Sequence, residues 1–326
     1  MLTDRQRILA WALLAACVVA IPMSLITRHK GHAERDGDSK SKLSMMGTDH
    51  LLVLRMDGMI YNDEANSSFF DHNSPTYIRK KFREAAKDKH VKGILLRVNS
   101  PGGTVAMSQE ILAAVQTAQK EKIPVVVSMG DVAASGGYYI SCSADRIFAE
   151  PGTLTGSIGV IMHLLNLSEI EKKIGVEPMV VKSGVFKDIG TMDRPPTPEE
   201  KALLQSIIMD SYDMFVTAIS EGRKMPKEEV QKLADGRIYS GRQALAAKLV
   251  DELGGYEDAE AALQKIARAR FNAGEDYQIE DTASSLGFLS ALLKSSSNIG
   301  AGSLVRSVLP ESFSPQFQNQ PMWIMH

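Results

Sequence analysis

The feature that most restricts this chain is an uncharged apolar run near its N-terminus. From Ile8 to Ile26 there are 19 residues without a charged side chain, ILAWALLAACVVAIPMSLI. As a helix, this run would be roughly 30 Å long, which matches the hydrocarbon core of a bilayer. A helix of a water-soluble protein rarely extends this far without a polar face. We therefore expect one membrane-spanning helix within residues 1–30, which anchors the chain in the lipid bilayer.

Two other interpretations of the apolar run stay open from the sequence. A cleaved signal peptide needs small residues at a cleavage site near its end, and Pro22–Leu25 is a poor match. The segment Leu14–Cys17 resembles a lipoprotein lipidation site, although the apolar run continues well past that cysteine. Basic residues flank the run on both sides, so the positive-inside rule does not give its orientation.

The composition of the whole chain is that of a protein that folds around a core. Of its 326 residues, 44% are hydrophobic and 23% are charged, which excludes a mainly disordered, collagen-like or coiled-coil protein. The net charge of −2 gives no reason to expect nucleic-acid binding. Two cysteines, Cys17 and Cys142, cannot make a disulfide-stapled scaffold. Residues 31–49 are polar and rich in glycine and serine, and we predict a linker there.

From residue 50 onward, short apolar runs alternate with helical patterns. Strands are predicted at Leu51–Met56, Gly93–Val98, Pro124–Met129, Arg146–Ala149 and Pro178–Lys182. Helices are predicted at Tyr77–Lys87, Val105–Lys120, Gly136–Ser143, Ser168–Ile174, Thr197–Glu221, Pro226–Ala234, Gly241–Lys248 and Tyr256–Arg270. This alternation predicts an α/β domain over residues 50–272 with buried, largely parallel strands. The Ser- and Gly-rich residues 273–326 are expected to be a poorly ordered tail.

Ser135 is the candidate nucleophile, because it follows a predicted strand and begins a predicted helix. Its small neighbours allow a substrate to approach the backbone, and a helix start offers N–H groups that favour developing negative charge. A glycine-rich turn with a helix-capping serine explains the same residues equally well. The turn Pro101-Gly102-Gly103 could complete an oxyanion hole, although Pro-Gly-Gly also marks ordinary turns.

A serine nucleophile needs a base, and the local sequence leaves the choice open. His163 lies in the apolar run VIMHLL, which is typical of a core histidine. Lys182 and Lys187 lie at and after the end of a predicted strand, and a lysine acts as a base when desolvation lowers its pKa. The chain has no HExxH, Gly-x-Ser-x-Gly or Walker A sequence, which disfavours a zinc protease, an α/β-hydrolase and a nucleotide-binding protein.

Five segments, taken in order, resemble the signal peptide peptidase A family of membrane serine proteases (peptidase family S49) in its short, single-copy form. They are GILLRVNSPGG (Gly93–Gly103), VVVSMGDVAASGGYY (Val125–Tyr139), TLTGSIGV (Thr153–Val160), KSGVFKD (Lys182–Asp188) and DGRIYSGRQALAAKLVDELG (Asp235–Gly254). The resemblance covers roughly residues 50–265. Five motifs in the same order are far more specific than any one of them, and the apolar N-terminal run agrees with a membrane family.

The resemblance implies a crotonase-like (Clp protease-like) α/β fold with a C-terminal helical part and a Ser–Lys dyad. Ser135 matches the nucleophile and Lys187 the general base. The backbone N–H groups of Gly102 and Gly136 match the oxyanion hole, and Ser157 matches the hydroxyl that orients the lysine. Neither a metal ion nor another cofactor is implied.

The resemblance also implies a ring-like homo-oligomer in which the serine and the lysine of one site come from neighbouring subunits. The expected protein is a single-pass cell-membrane serine endopeptidase with an extracytoplasmic catalytic domain, which degrades remnant signal peptides and other apolar peptides. A non-enzymatic, membrane-anchored oligomeric scaffold on the same fold is the main alternative. Acyl-CoA chemistry is a weaker one, because a fold alone does not give a function.

Overall fold

A computed structural model of the chain describes residues 47–63, 72–282 and 322–324, the last segment by its backbone alone. The chain divides into two units, residues 1–48 and residues 49–326. Of the first unit only Gly47 and Thr48 are described, so the expected membrane helix at Ile8–Ile26 lies outside the described residues. Among the helices that are described, none is both long enough and apolar enough to cross a membrane. The rest of this section concerns the second unit.

The second unit alternates strands and helices. Its strands are β1 (His50–Asp57), β2 (Val91–Ser100), β3 (Gly102–Thr104), β4 (Val125–Ala134), β5 (Arg146–Ala149), β6 (Leu154–Gly156), β7 (Ile238–Ser240), β8 (Glu252–Leu253), β9 (Gln278–Asp281) and β10 (Met322–Ile324). Its helices are α1 (Pro75–Ala85), α2 (Val105–Lys120), α3 (Gly136–Ser141), α4 (Ser168–Ile174), α5 (Pro198–Arg223), α6 (Lys227–Leu233), α7 (Gly241–Ala246) and α8 (Tyr256–Phe271).

The main sheet is largely parallel, with the strand order β7-β6-β4-β2-β1-β9. Strand β4 is its branch point, because its first half pairs with β5 and its last residues pair with β6, both in parallel. Strand β5 in turn pairs with β8, and β7 joins β6 in the antiparallel direction. Since β2, β4 and β6 run in parallel, their carboxyl ends meet at one edge of the sheet.

Helices cover both faces of the central strands. On one face, Phe82 of α1 and Ile111 of α2 belong to the main hydrophobic core. On the other face, Leu263 of α8 packs with Leu51 and Leu95 of the sheet. Strands buried on both faces carry continuous apolar runs rather than alternating ones. This explains why LLVL in β1 and ILL in β2 are almost completely buried.

The structure confirms the α/β class and most predicted elements, with one clear error. Pro178–Lys182 is not a strand: the segment is irregular and pairs with no strand among the described residues, and Met179 and Val181 are 91% and 94% exposed. The folded unit also extends past residue 272. Strand β9 pairs in parallel with β1, so the expectation of a poorly ordered tail was wrong for residues 273–282.

Helix α5 buries its apolar stripe only in its C-terminal half. Phe215 and Ile219 are fully buried, as the helical spacing predicts. In the N-terminal half, Ile207 is 40% exposed and Met209 is 49% exposed. The first half of α5 therefore presents apolar side chains to the surface.

Candidate active site

Ser135 occupies the junction between strand β4 and helix α3. Its side chain is fully buried, and its backbone has φ 52° and ψ −116°. A non-glycine residue keeps such a conformation only where its surroundings enforce it. Here the N–H of Ser135 donates to the carbonyl of Gly156 at 2.7 Å, and the carbonyl of Ser135 accepts from the N–H of Tyr139 at 2.8 Å. The turn therefore holds Ser135 from both sides in a strained conformation, which is common among functional residues.

Gly137 allows helix α3 to start this close to the end of strand β2. A Cβ atom at Gly137 would lie 2.7 Å from the carbonyl oxygen of Ser100. No ordinary side chain fits at that distance from a backbone atom, so only glycine permits this contact. The second of the two glycines after Ser135 thus has a physical role, because it allows the helix that follows Ser135 to pack against β2.

The hydroxyl of Ser135 is buried and, among the described residues, has no hydrogen-bond partner. Although Ser135 is the N-cap residue of α3, its side chain makes no capping hydrogen bond. Buried hydroxyl groups in folded proteins are normally bonded. The interpretation of Ser135 as a helix-capping serine is therefore wrong. No hydrogen bond among the described residues gives its hydroxyl a structural role.

Two backbone N–H groups proposed for the oxyanion hole lie at the same sheet edge. Gly136 is the first residue of α3, so its N–H has no acceptor within that helix. Gly102 begins β3 with φ 106°, and its N–H donates to Oγ of Ser100 at 3.1 Å. Ser100 pairs in register with Ala133, two residues before Ser135. The donor at Gly102 is therefore near the site but occupied by a side chain of its own turn.

Ser157 follows strand β6 as Ser135 follows strand β4. The two strands pair Ala134 with Gly156, so the two serines are the next residues on neighbouring parallel strands. Ser157 is 8% exposed, has φ 50°, and donates its N–H to the carbonyl of Arg237 at 2.9 Å. The structure thus brings the predicted nucleophile and the predicted lysine-orienting residue to adjacent positions of the sheet edge.

Lys187 is not joined to Ser135 within a single chain. It is an exposed residue of an irregular segment, and its backbone N–H donates to the carbonyl of Gly184 at 3.1 Å. Because the hydroxyl of Ser135 has no hydrogen-bond partner among the described residues, Lys187 makes no hydrogen bond with it. The structure of one chain therefore contains the predicted nucleophile and the predicted base without bringing them together.

The other two candidate bases are placed unfavourably. Lys182 donates from Nζ to Oδ1 of Asp188 at 2.6 Å and to the carbonyl of Val185 at 3.2 Å, so its ammonium group is tied to a carboxylate. His163 is half-buried in an irregular segment, so the prediction of a core histidine was wrong.

Residues 162–192, here called the Lys187 arm, present an unusual number of apolar side chains to the surface. The hydrogen bond from the N–H of Leu167 to the carbonyl of Met192, 2.7 Å long, joins the two sides of the arm near its base. The large apolar side chains exposed on the arm are Leu164, Leu165, Ile170, Ile174, Val176, Met179, Val180, Val181, Val185 and Phe186. Exposed apolar side chains at this density along one segment are typical of an interaction site.

An open cavity of about 450 Å³ lies beside Ser157. Apolar side chains of α5, of the segment after β6 and of β7 line much of it, including Val160, Ile208, Met209 and Ile238. Its position and lining suit an apolar side chain of a bound peptide, since such sites combine apolar walls with a few polar groups.

Strand β3 pairs with an extended segment from the distant C-terminal part of the chain. Met322–Ile324 run antiparallel to it, with Trp323 opposite Gly103 and Ile324 opposite Gly102. The backbone of β3 therefore offers hydrogen-bonding groups to an added strand, two residues along the chain from the end of β2.

The sequence analysis did not single out Arg194 and Glu200. Arg194 donates two hydrogen bonds to the carboxylate of Glu200, from Nη1 at 2.8 Å and from Nη2 at 2.6 Å. These bonds, followed in importance by the Thr197 backbone N–H, lower the pKa of Glu200 to about 2. The capping box of α5, with Thr197 three residues before Glu200, was visible in the sequence, but it gave no sign of an arginine partner.

Comparison with known proteins gives a consistent family. The model of peptidase family S49 matches residues 117–270. A protein of Synechocystis sp. that carries the provisional name of a protease is 40% identical over 245 residues, covering 74% of this chain and 87% of that protein. A protein of Enterococcus faecium with the provisional name signal peptide peptidase SppA is 41% identical over 218 residues, covering 66% of this chain and 63% of that protein. The chloroplastic serine protease SPPA of Arabidopsis thaliana is 34% identical over 194 residues, covering 59% of this chain and 28% of that protein.

Proposed function

Because the chain belongs to peptidase family S49 and is a serine peptidase, we propose that it is a membrane-anchored endopeptidase with a Ser135–Lys187 dyad. The dyad forms between two copies of the chain, with Ser135 from one and Lys187 from its neighbour. The substrates are remnant signal peptides and other apolar peptides. The observation that carries the proposal is the strained backbone of Ser135 together with its buried hydroxyl, which has no hydrogen-bond partner in the part of the chain that the structure describes.

The need for a second copy follows from the chemistry of the lysine. A lysine in water stays protonated near neutral pH, and it becomes a base only when desolvation favours its neutral form. Lys187 is exposed in the single chain, and so is most of the apolar surface of the Lys187 arm around it. Docking of that arm on a neighbouring chain would bury the lysine and the apolar side chains in one step.

The N-terminal half of α5 is a suitable receiving surface for the arm. Leu203, Ile207 and Met209 are exposed there, and Met209 lines the cavity beside Ser157. An arm that covers this surface would reach the same sheet edge that carries Ser135. Each chain offers one arm and one receiving surface, and a repeated head-to-tail contact of this kind forms a ring when the rotation from one chain to the next closes.

The proposed reaction is acyl transfer in two stages. Neutral Lys187 takes the proton of the Ser135 hydroxyl as the serine oxygen attacks the scissile carbonyl, and Ser157 holds the lysine in place. The backbone N–H groups of Gly136 and Gly102 stabilise the oxyanion, for which Gly102 must release the hydroxyl of Ser100. The lysine then protonates the leaving amine, and water hydrolyses the acyl-enzyme.

The substrate class is supported by strand β3. Its antiparallel pairing with Met322–Ile324 indicates that an extended backbone can bind next to Gly102. Peptidases and peptide-binding domains use such strand addition because backbone hydrogen bonds are available from any sequence. Apolar side chains of the peptide would then enter the cavity beside Ser157. Anchoring by Ile8–Ile26 would place this site at the membrane, with the catalytic domain extracytoplasmic.

The finer fold is part of the same proposal. A parallel sheet in which β4 pairs β5 with its first half and β6 with its last residues is compatible with the crotonase-like (Clp protease-like) fold that the motifs imply. In that arrangement, the turns after β2, β4 and β6 carry the oxyanion donor Gly102, the nucleophile Ser135 and the orienting Ser157.

Mass spectrometry of products from a synthetic signal peptide tests the proposal. The full chain in detergent should cleave the peptide within its apolar part, whereas Ser135→Ala and Lys187→Ala should lose at least about 100-fold in rate. Lys187→Arg should be as inactive as Lys187→Ala, because an arginine does not deprotonate. The matched control is Lys265→Ala, which removes an exposed lysine of α8, outside the Lys187 arm, and should keep full activity. Turnover at the wild-type rate by Ser135→Ala or Lys187→Ala would refute the dyad.

A further inference from the structure

A buried carboxylate at the start of α5 anchors the segment that carries Lys187. Glu200 is the third residue of α5 and is 2% exposed. Its Oε2 accepts the backbone N–H of Thr197 at 2.8 Å, and its own N–H donates to Oγ1 of Thr197 at 3.2 Å. This reciprocal cap fixes the carboxylate of Glu200 to the first turn of a 26-residue helix.

Arg194 connects this fixed carboxylate to the Lys187 arm. Through Nη1 and Nη2 it donates two hydrogen bonds to Glu200. The same guanidinium donates from Nε to Oδ2 of Asp188 at 3.3 Å, and its Nη2 lies 3.0 Å from Oδ1 of Asp188. A planar guanidinium with donors along its edges can hold two carboxylates at once, which a lysine ammonium cannot do with the same geometry.

Asp188 is the residue next to Lys187, so its contacts with Arg194 also restrain the backbone at Lys187. Lys182 also binds Asp188, at 2.6 Å, and is the main cause of the lowered pKa of that carboxyl. Around Lys187 the backbone forms successive turns, with hydrogen bonds from Lys187 to Gly184 and from Thr191 to the carbonyl of Asp188, each 3.1 Å long. The side chain of Lys187 itself is exposed. Its position relative to the folded unit is therefore set through Asp188 rather than by packing of its own side chain.

We propose that Arg194 is a positioning residue that holds Lys187 in place for catalysis by bridging Asp188 to Glu200. The proposal rests on the assignment of Lys187 as the general base. Arg194 touches neither the substrate nor Ser135; it acts through the backbone of the arm. Its loss releases the Asp188 side of the arm from α5, and a base displaced by about 1 Å loses roughly 100-fold in rate.

The test is a double-mutant cycle read by labelling of Ser135 with a fluorophosphonate probe. In the full chain, Arg194→Ala should slow labelling about 10- to 100-fold. In a Lys187→Ala background, where the residual labelling is followed over a long incubation, the same substitution should cause no further loss. With a peptide substrate, Arg194→Ala should lower kcat and leave KM nearly unchanged, and Arg194→Lys should restore only a small part of kcat.

Two further variants keep the test decisive. Arg268 of α8 donates from Nη1 to Oδ1 of Asp276 at 2.8 Å, away from the Lys187 arm. The variant Arg268→Ala removes this arginine and should label at the wild-type rate. Asp188→Asn leaves the Arg194–Glu200 contact and the cap of α5 in place, so it tests the bridge even if Arg194→Ala fails to fold. It should also slow labelling in the wild-type background and have no effect in the Lys187→Ala background.

Three outcomes have different meanings. Equal losses in both backgrounds, or full activity of Arg194→Ala and Asp188→Asn, would overturn the positioning role while leaving the dyad intact. Labelling of Lys187→Ala at the wild-type rate would refute the proposed function itself, whatever Arg194 does. A loss on removing Arg194 that disappears when Lys187 is absent would support the proposal.

Discussion

Ser135 and Ser157 are the first residues after two neighbouring parallel strands, which pair Ala134 with Gly156. Both serines have a left-handed backbone, with φ 52° and φ 50°. The N–H of Ser135 donates to the carbonyl of Gly156, and the N–H of Ser157 donates to the carbonyl of Arg237. Each strained serine is thus fixed by the strand or turn beside it. Two hydroxyls held at adjacent positions form the part of the proposed site that one chain supplies, and Lys187 of another chain completes it.

Replacement of Ser157 by glycine removes the hydroxyl but keeps the backbone conformation, so it tests the hydroxyl alone. Glycine adopts φ 50° without strain, so Ser157→Gly should fold normally. If the hydroxyl orients Lys187, kcat should fall about 10- to 100-fold with little change in KM. The measurement is steady-state hydrolysis of an apolar peptide, with thermal unfolding as the check on folding.

Lys224→Gly is the matched control for Ser157→Gly. Lys224 also has a left-handed backbone, with φ 53°, but it lies at the C-terminal end of α5. Its replacement should leave kcat unchanged. A wild-type kcat for Ser157→Gly would remove Ser157 from the mechanism.

Gly137→Ala should damage both stability and activity. The added Cβ would lie 2.7 Å from the carbonyl oxygen of Ser100, so the start of α3 must move away from β2. We expect a loss of about 1–3 kcal/mol in the free energy of unfolding, with a large loss of Ser135 labelling. Denaturant unfolding and probe labelling measure the two effects.

Gly152→Ala provides the comparison for the substitution at Gly137. A Cβ at Gly152 meets no atom within 4 Å, so this variant should match the wild type in both measurements. The close contact at α3 would be disproved as a constraint if Gly137→Ala were equally harmless.

The carboxylate of Glu200 should make stability depend on pH in the acid range. Its pKa falls from 4.5 to about 2 because of the hydrogen bonds from Arg194 and Thr197, against which burial and the charge of Asp188 act. A lowered pKa stabilises the fold fully above about pH 4.5, and this stabilisation is lost as the pH falls toward 2. Glu200→Gln should therefore be less stable than the wild type at pH 7, with a difference that shrinks between pH 5 and pH 2.

Thermal unfolding at several pH values measures this difference. Glu199→Gln is the control, because Glu199 is exposed in the same first turn of α5. It should be close to the wild type throughout. A stability difference for Glu200→Gln that stays constant from pH 7 to pH 2 would contradict the role given to the ionised carboxylate.

The sequence predicted the buried parts of the fold well, because burial leaves a periodic or continuous apolar pattern. The strand Arg146–Ala149 and the helix Val105–Lys120 have the predicted bounds. The same reasoning failed at Pro178–Lys182, where an apolar run is exposed on the arm. An apolar segment that serves as an interaction surface has the same composition as a buried strand. A single sequence does not distinguish such a segment from a strand.

The candidate site was only partly predictable for a related reason. Local sequence could not decide whether Ser135 is a cap or a nucleophile, whereas its missing capping bond decides against the cap. The bridge from Arg194 to Asp188 and Glu200 left no pattern, because it depends on how an irregular segment folds back on α5. The family resemblance supplied Lys187, which neither residue spacing nor the structure of one chain identifies.

The central claim is that Ser135 and Lys187 of different chains form one active site. Chains carrying Ser135→Ala and chains carrying Lys187→Ala, each inactive alone, can be co-expressed with different tags and purified as mixed oligomers. The account predicts that peptide hydrolysis returns, because some sites then combine an intact Ser135 with a neighbour's intact Lys187; random one-to-one mixing gives about one quarter of such sites. Mixed oligomers that remain as inactive as either variant alone would contradict it.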